Sequence, residues 1–162
     1  MKKILLLIIF ASPIFVIGQT KKNIISNQIY NAIEVDGVRL DFLKDFQGEA
    51  AELSQLFNLT FSLDSPDPEA KTFNNPLISL VYGGSLPRQL YYFEIKGSNI
   101  EMLMNGIGYH LGDYFMTSNF MTFTDENGKH CAAFRPLYES SYITIEYDAN
   151  NIITKIFFIA PI

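Results

Sequence analysis

Apolar and polar side chains alternate over residues 29–40. Residues 29–40 carry apolar Ile33, Val35 and Val38 around an Asp36-Gly37 pair. Alternation with a period of two indicates a strand, and Asp-Gly is a frequent two-residue hairpin turn. This segment is therefore predicted to be extended, with a turn at Asp36-Gly37.

The stretch that follows, residues 41–57, has the spacing of an amphipathic helix. Asp41 stands where a side chain can cap the first turn, and Gly48 lowers helix stability by up to ~1 kcal/mol. The charged residues face away from an apolar stripe, so one helix is predicted over 41–57. The stripe comprises Phe42, Leu43, Phe46, Ala50, Leu53, Leu56 and Phe57.

Two β-hairpins and one loop are predicted from the rest of the pattern. The first hairpin joins residues 77–82 to 90–96, and a further strand covers 99–104. The second joins residues 142–147 to 152–159, and its nearly all-apolar closing strand indicates a place inside a sheet, covered on both faces. Residues 60–76 contain two prolines around Asp67 and are predicted to form the longest loop.

The segment from Tyr109 to Phe123 is apolar without a clean period. A short helix that begins at Asp113 is preferred here over a strand. Together these elements predict an α+β fold in which an antiparallel β-sheet packs against one or two helices.

The first 18 residues have the pattern of a secretory signal peptide. Lys2 and Lys3 precede an apolar run that ends at Gly18, a small residue suited to cleavage. The alternative is an uncleaved anchor, but about 14 apolar residues fall short of the roughly 20 needed to span a bilayer. We expect a signal peptide over 1–18, a flexible lead-in over 19–28 and a single domain over 29–162, located in the periplasm or secreted.

Charge and cysteine content limit what the mature domain is expected to bind. Loss of Lys2 and Lys3 with the leader lowers the formal charge from −5 to −7. Such an acidic surface disfavours nucleic acid as a partner. The single cysteine, Cys131, is expected to be a buried small hydrophobe, with an intermolecular disulfide as the alternative. It lies far from the cleavage point, so no lipid anchor is expected after cleavage.

The two halves of the domain have similar patterns. Residues 77–83 match 142–148 in character at an offset of 65, and both lead into aromatic-rich strands. Residues 37–42 can be set against 106–111 at an offset of 69. A tandem duplication, with repeats over 29–100 and 101–162, is therefore a hypothesis, with chance similarity between hairpins as its alternative.

In the second half, Gly112-Asp113 opens a segment predicted to be helical. A hairpin over residues 143–159 follows, with its turn at 148–151. This pattern of about 50 residues resembles the SmpA/OmlA-like outer-membrane assembly lipoproteins and the β-lactamase-inhibitor-like fold. The resemblance implies a helix-on-sheet module that binds another protein. The chain departs from the assembly lipoproteins in lacking their lipidated cysteine.

Catalytic and metal-binding patterns are weak in this sequence. His110 and His130 are 20 residues apart and fit no metal-ligand spacing, and no cofactor-binding motif is found. No catalytic residue, metal ligand or cofactor is therefore predicted. A small secreted hydrolase that uses His110, Asp113 or His130 remains the alternative, as does a carrier with a small-ligand pocket between helix and sheet.

Aromatic residues are the best candidates for a binding surface, because tyrosine often anchors protein interfaces. Four tyrosines in or beside the predicted hairpins are the predicted binding residues: Tyr91, Tyr92, Tyr138 and Tyr142. The sequence predicts an exported, non-enzymatic protein-interaction module whose partner is another envelope or extracellular protein. It predicts neither the identity of that partner nor the oligomeric state.

Overall fold

A computed structural model of the chain describes residues 22–65, 70–83 and 87–160. The predicted signal peptide, residues 1–18, lies outside the described residues, as do residues 19–21. None of the helices in the described part is long and apolar enough to span a bilayer.

Three short α-helices, a 3₁₀ helix and thirteen strands make up the described chain. In chain order they are β1 (Lys22–Ile25), α1 (Asn27–Asn31), β2 (Glu34–Val35), β3 (Val38–Arg39), α2 (Leu40–Lys44), α3 (Ala50–Phe57), β4 (Ser62–Ser65), β5 (Ala70–Asn74), β6 (Ile78–Gly83), β7 (Gln89–Ile95), β8 (Met102–Met104), β9 (Ile107–Tyr109), the 3₁₀ helix (Thr117–Asn119), β10 (Phe123–Thr124), β11 (His130–Pro136), β12 (Tyr142–Tyr147) and β13 (Ile153–Ile159). The predicted α+β class is confirmed.

Nine of these strands form a large sheet in the order β1-β11-β12-β13-β7-β6-β5-β4, with β10 also paired to β11. Every described pairing in it is antiparallel except that of β1 with β11. A small sheet has the order β3-β2-β8-β9. Both predicted hairpins, β6-β7 and β12-β13, are confirmed.

One face of the large sheet packs against the helices and the small sheet. Leu43 of α2, Leu53 of α3, Val35 of β2 and Phe93 of β7 belong to one continuous buried core. The Tyr82 hydroxyl donates a hydrogen bond to the Leu43 carbonyl at 2.9 Å, and burial raises the pKa of this tyrosine. The space between helices and sheet is thus filled by side chains.

The centre of the large sheet lies where β7 pairs with β13. Phe93 and Phe158 are register partners there, and their rings stack with centroids 5.5 Å apart. On either side the order of strands is mirrored, because β6 flanks β7 as β12 flanks β13. The strands that match at an offset of 65 residues therefore occupy equivalent places about this junction.

The small sheet is arranged in the same way about the pairing of β2 with β8. Its two hairpins turn at Asp36-Gly37 and at Asn105-Gly106, and all four residues have positive φ, between 49° and 79°. These are the values that a type I′ turn requires. The predicted turn at Asp36-Gly37 is confirmed, and its counterpart lies 69 residues further on.

The single helix predicted over residues 41–57 is wrong, because the structure has α2 and α3 with a break at 45–49. Gly48 lies in this break, where a Cβ atom would come within 2.6 Å of the Phe46 ring. Glu49 then starts α3 through a reciprocal capping box with Glu52. Asp41 is not the cap of α2: Arg39 holds that position, without a side-chain cap bond.

Three further segments differ from the predictions near the start of the chain and in its first half. Part of the expected flexible lead-in forms β1, which pairs with β11, and residues 27–31, expected partly as strand, are helical because Ser26 caps α1. The expected loop over 60–76 instead carries the antiparallel strands β4 and β5, and its prolines at 66 and 68 fall between them. The chain is therefore extended immediately before and immediately after residues 66–69.

The expected helix from Asp113 is also absent from the described structure. The Asp113 carboxylate accepts the His110 backbone N–H at 2.9 Å, and Gly112 has a φ of 94°, so the chain turns here. Phe115 enters the core, and only residues 117–119 form a 3₁₀ helix.

The position of β13 inside the sheet is confirmed, but its cover on both faces is not. Ile153, Ile156 and Phe158 are buried on the core side, whereas Phe157 and Ile159 on the other face are half-buried. The large sheet therefore has one face that the rest of the described chain leaves partly open.

Replacement of Phe158 by alanine should remove the stack at the sheet centre and lower the free energy of unfolding by about 3–5 kcal/mol. Phe157→Ala is the matched control on the open face and should cost less than about half as much. Urea denaturation of both variants measures this difference. Equal losses would show that the two faces of β13 do not differ in burial as described.

Candidate functional site

The candidate site is a depression on the open face of the large sheet, which we call the sheet groove. Its volume is about 680 Å³, and it is open on its outer side. Side chains of three neighbouring strands form its floor, and β1 with the segment before β11 forms its rim. The lining residues are Lys22, Phe123, Thr124, Asp125, Glu126, Asn127, Cys131, Ala133, Tyr142, Thr144, Glu146, Phe157 and Ile159.

The floor follows from strand pairing. Thr144 of β12 is the register partner of both Ala133 on β11 and Phe157 on β13. Because side chains on a strand alternate between faces, Tyr142, Thr144 and Glu146 share the face opposite the core. The sequence alternation of β12 thus supplies a polar row on this side and an apolar row on the other.

Asn23 fixes the rim next to β1. Its side-chain amide donates to the carbonyls of Met121 and Ala133, at 3.0 and 3.1 Å, and its oxygen accepts the Met121 N–H at 2.8 Å. The Asn23 side chain therefore connects β1 both to β11 of the sheet and to the rim segment. These hydrogen bonds hold Lys22 at the edge of the groove.

The acidic rim is fixed by a turn. The Oδ1 atom of Asp125 accepts the backbone N–H groups of Asn127 and Lys129, at 3.0 and 2.7 Å. Gly128 supports this turn with a φ of 78°. Asp125 is thereby held over the end of the groove where Glu146 lies.

The two lysines of the open face lie against aromatic rings that line the groove, and the Lys155 ammonium is 5.0 Å from the centroid of the Phe157 ring. The Lys22 ammonium lies 4.0 Å from the centroid of the Tyr142 ring. Lys155 Nζ is 3.6 Å from Glu94 Oε1, and the Tyr92 hydroxyl donates a hydrogen bond to Glu94 Oε2 at 2.6 Å. Burial first, and then this bond to Glu94, raise the pKa of Tyr92.

Cys131 lies at the acidic end of the floor and is 2% exposed. Burial, followed by the nearby carboxylates of Glu146 and Asp125, raises the pKa of its thiol to about 11. The thiol is therefore protonated at neutral pH, which makes it a poor nucleophile. Its predicted burial is confirmed.

Asp125, Cys131 and Glu146 are also the described group that could hold a metal ion, with ligand atoms within 4.8 Å of one another. They could offer one sulfur and two oxygen ligands. A metal would have to displace the thiol proton, so any binding would weaken as the pH falls.

The structure brings together two of the four predicted binding tyrosines. Tyr142 lines the groove, and Tyr92 lies two strands away, with Ile159 as the register partner of both. Tyr91 is half-buried and does not line the groove, while Tyr138 is 85% exposed on the β11–β12 connection. The tyrosines at 91 and 138 are thus separate from this site.

Sequence reasoning missed most of the groove, including Lys22, Asp125, Thr144, Glu146 and Phe157. Outward positions of β12 and β13 could have been found from their alternation. The contribution of Lys22 depends on the pairing of β1 with β11, more than 100 residues away, for which the sequence carries no local signal. Asp125 lies in a local turn, but its place beside Glu146 depends on the pairing of β11 with β12.

The residues of the alternative hydrolase do not form one described site. His110 Nδ1 lies 3.0 Å from Asp113 Oδ2, so these two do pair. Nε2 of His110 points toward Glu101, 4.0 Å from its carboxylate oxygen. His130 is instead stacked on Tyr147, with centroids 5.7 Å apart. No serine, threonine or cysteine within the described ranges hydrogen-bonds to His110, so the pair has no partner nucleophile there.

No protein-family model, no curated protein and no solved structure matches the chain.

Cys131 should react slowly with iodoacetamide in the folded protein. With a thiol pKa of about 11, about one thiol in a thousand is ionised at pH 8. The rate should rise about tenfold per pH unit between pH 7 and 10, because only the thiolate reacts. Mass spectrometry of labelled protein measures this rate, with urea-unfolded protein as the control. Equal rates in folded and unfolded protein at pH 8 would contradict the burial and charge environment described.

Proposed function

We propose that the protein is an exported, non-enzymatic protein-interaction module of the bacterial envelope that binds its partner through the sheet groove. The observation that carries this proposal is the open face of the large sheet. A sheet face with aromatic side chains and a fixed polar rim has the composition of a protein-binding surface. The second half of the chain resembles envelope assembly lipoproteins and the β-lactamase-inhibitor-like fold. This resemblance also favours binding to another protein.

The geometry of the groove suits a rigid docking surface. Its floor belongs to the central strands β12 and β13 and to β11, which are paired on both sides. Surfaces on paired strands lose little conformational entropy on binding, because their side chains are already positioned. Tyr142 and Phe157 are half-buried and can become anchors when a partner covers them.

A small-ligand carrier is the second candidate, and the volume of the groove favours it, since ligand pockets measure roughly 300–1,000 Å³. The expected place for such a ligand, between helix and sheet, is filled by core side chains. The groove itself is open along its outer side, and such sites usually enclose most of a ligand. We therefore favour a protein partner over a small ligand.

The test is capture of the partner by the immobilised mature domain, residues 19–162, followed by affinity measurement with variants. Tyr142→Ala and Phe157→Ala should each weaken binding at least about tenfold, since buried aromatic anchors contribute most of an interface. Tyr138→Ala is the matched control, because this tyrosine is exposed outside the groove. It should bind as the wild type does.

A double variant, His110→Ala with His130→Ala, should also bind as the wild type, because neither side chain lines the groove. Circular dichroism and thermal unfolding confirm that each variant is folded. The proposal fails if no partner is recovered reproducibly, or if the two groove variants bind as tightly as Tyr138→Ala.

A further inference from the structure

The two halves of the fold continue differently after the small sheet. Phe46 and Phe115, at an offset of 69, occupy the same point in each half. Phe46 packs on Tyr82 and Phe115 on the equivalent Tyr147, with ring centroids 6.0 and 5.3 Å apart. Fifteen residues, 47–61, then precede β4, whereas seven, 116–122, precede β10. The second half is thus shorter here by eight residues, the length of α3.

The side chains around Phe115 form an apolar surface, which we call the loop patch and which comprises Ile107, Tyr114, Met116 and Phe120. The first three are each more than half exposed. All four line one depression of about 360 Å³. A single exposed apolar side chain is ordinary, but several that meet at one depression mark an interaction surface.

The first half shows what covers the equivalent residues there. Val38 corresponds to Ile107 at the start of the second strand of each small-sheet hairpin, yet Val38 is 8% exposed and Ile107 is 55% exposed. The helix α3 contributes Leu53 and Phe57, four residues apart, to the buried core of the first half. The half that has this helix buries its apolar side chains, and the half that lacks it leaves them open.

The loop patch lies where a counterpart of α3 would begin. A Cβ atom added at Gly48 would meet both the Phe46 ring and the side chain of Glu52, so the first turn of α3 lies beside Phe46. The equivalent place in the second half is beside Phe115. There the ring of Phe120, a patch residue, stacks on Phe115 with centroids 5.4 Å apart.

The N-terminal helix α1 does not occupy this place. The Tyr30 hydroxyl of α1 bonds to Ser141, just before β12 begins, at 3.3 Å. Phe115 packs on Tyr147, the last residue of β12. Because the ends of such a strand lie roughly 17–20 Å apart, α1 and the loop patch are at opposite ends of β12.

The rim of the loop patch is acidic. Asp113 lines the depression, and the Glu101 carboxylate lies against Gly108, which also lines it. His110 lies between these acids, with Nδ1 3.0 Å from Asp113 and Nε2 4.0 Å from Glu101. Two carboxylates beside one imidazole leave the rim negative. A complementary partner therefore carries a basic side chain next to its apolar ones.

We propose that the loop patch binds an amphipathic helix of a partner protein, in the place that α3 occupies in the first half. This helix presents two large apolar side chains at positions i and i+4, as α3 presents Leu53 and Phe57, and a lysine or arginine toward the rim. The inference goes beyond the proposed function, because the loop patch and the sheet groove share no lining residue.

The test is an NMR titration of the isotope-labelled mature domain with a lactam-bridged helical peptide that has the sequence of α3 and its two caps. In this peptide Glu52→Lys supplies the basic side chain. It should shift the backbone amides of Gly108 and Met116. A control peptide in which Leu53 and Phe57 are also replaced by serine should leave these amides unmoved.

Variants of the protein locate the binding surface. Ile107→Ser and Met116→Ser should each weaken the lysine peptide at least about fivefold, since both remove apolar anchors. Leu137→Ser is the matched control, because Leu137 is similarly exposed on the β11–β12 connection, and it should have no effect. Glu101→Gln should weaken the lysine peptide about twofold to fivefold and should not weaken the peptide that retains Glu52. Circular dichroism confirms that each variant is folded.

The inference is overturned if the lysine peptide leaves the amides of the loop patch unmoved, or if the serine control moves them equally. It is also overturned if sedimentation velocity shows a dimer that Ile107→Ser converts to monomers, because a second copy would then cover the patch. Tyr142→Ala and Phe157→Ala in the sheet groove should leave peptide binding unchanged. Failure of the peptide would therefore remove the loop patch alone, and failure to capture a groove partner would remove the proposed function alone.

Discussion

The pairing of β7 with β13 is the interaction on which the rest of the structure depends. These strands join the two halves of the large sheet through four register pairs, and Phe93 stacks on Phe158 at their centre. Buried aromatic pairs of this kind contribute both apolar area and a preferred ring geometry. Because the strands on either side repeat in mirrored order, this junction is where the two halves of the sheet meet and share one buried core.

The mirrored arrangement is consistent with the hypothesis of a duplicated chain, but the two halves are not alike at the groove. At the offset of 65 residues, Thr144 corresponds to Ser79, and both hydroxyl side chains are buried. Glu146, however, corresponds to apolar Val81, so the acidic end belongs to the second half alone. A symmetric scaffold therefore carries an asymmetric surface, and the asymmetry comes from single outward positions and from the rim segment before β11.

Much of the fold could be predicted because its signals are local. Both aromatic hairpins, the Asp36-Gly37 turn and the interior position of β13 follow from alternation and turn residues. The predicted helix over 41–57 failed because apolar spacing alone does not reveal that Gly48 lets the chain pass close to Phe46. The strand β1 was missed because its polar residues gain stability only from their pairing with β11, more than 100 positions away.

The candidate site was less predictable than the fold for the same reason. Tyr142 was expected from its residue type, but Lys22 reaches the groove only through the tertiary contacts of Asn23. Asp125 is held by a local turn, and it comes to Glu146 only because β11 pairs with β12. The proposed role of the groove therefore depends on a surface that no single segment encodes.

The most direct test of that role is site-specific photo-crosslinking in intact cells that produce the protein. A benzophenone side chain placed at position 157 would lie in the groove, and one placed at position 42 would lie on the half-exposed face of α2. The account predicts a discrete protein adduct from position 157 and none from position 42. An adduct from position 42 alone, or the same adduct from both positions, would contradict it.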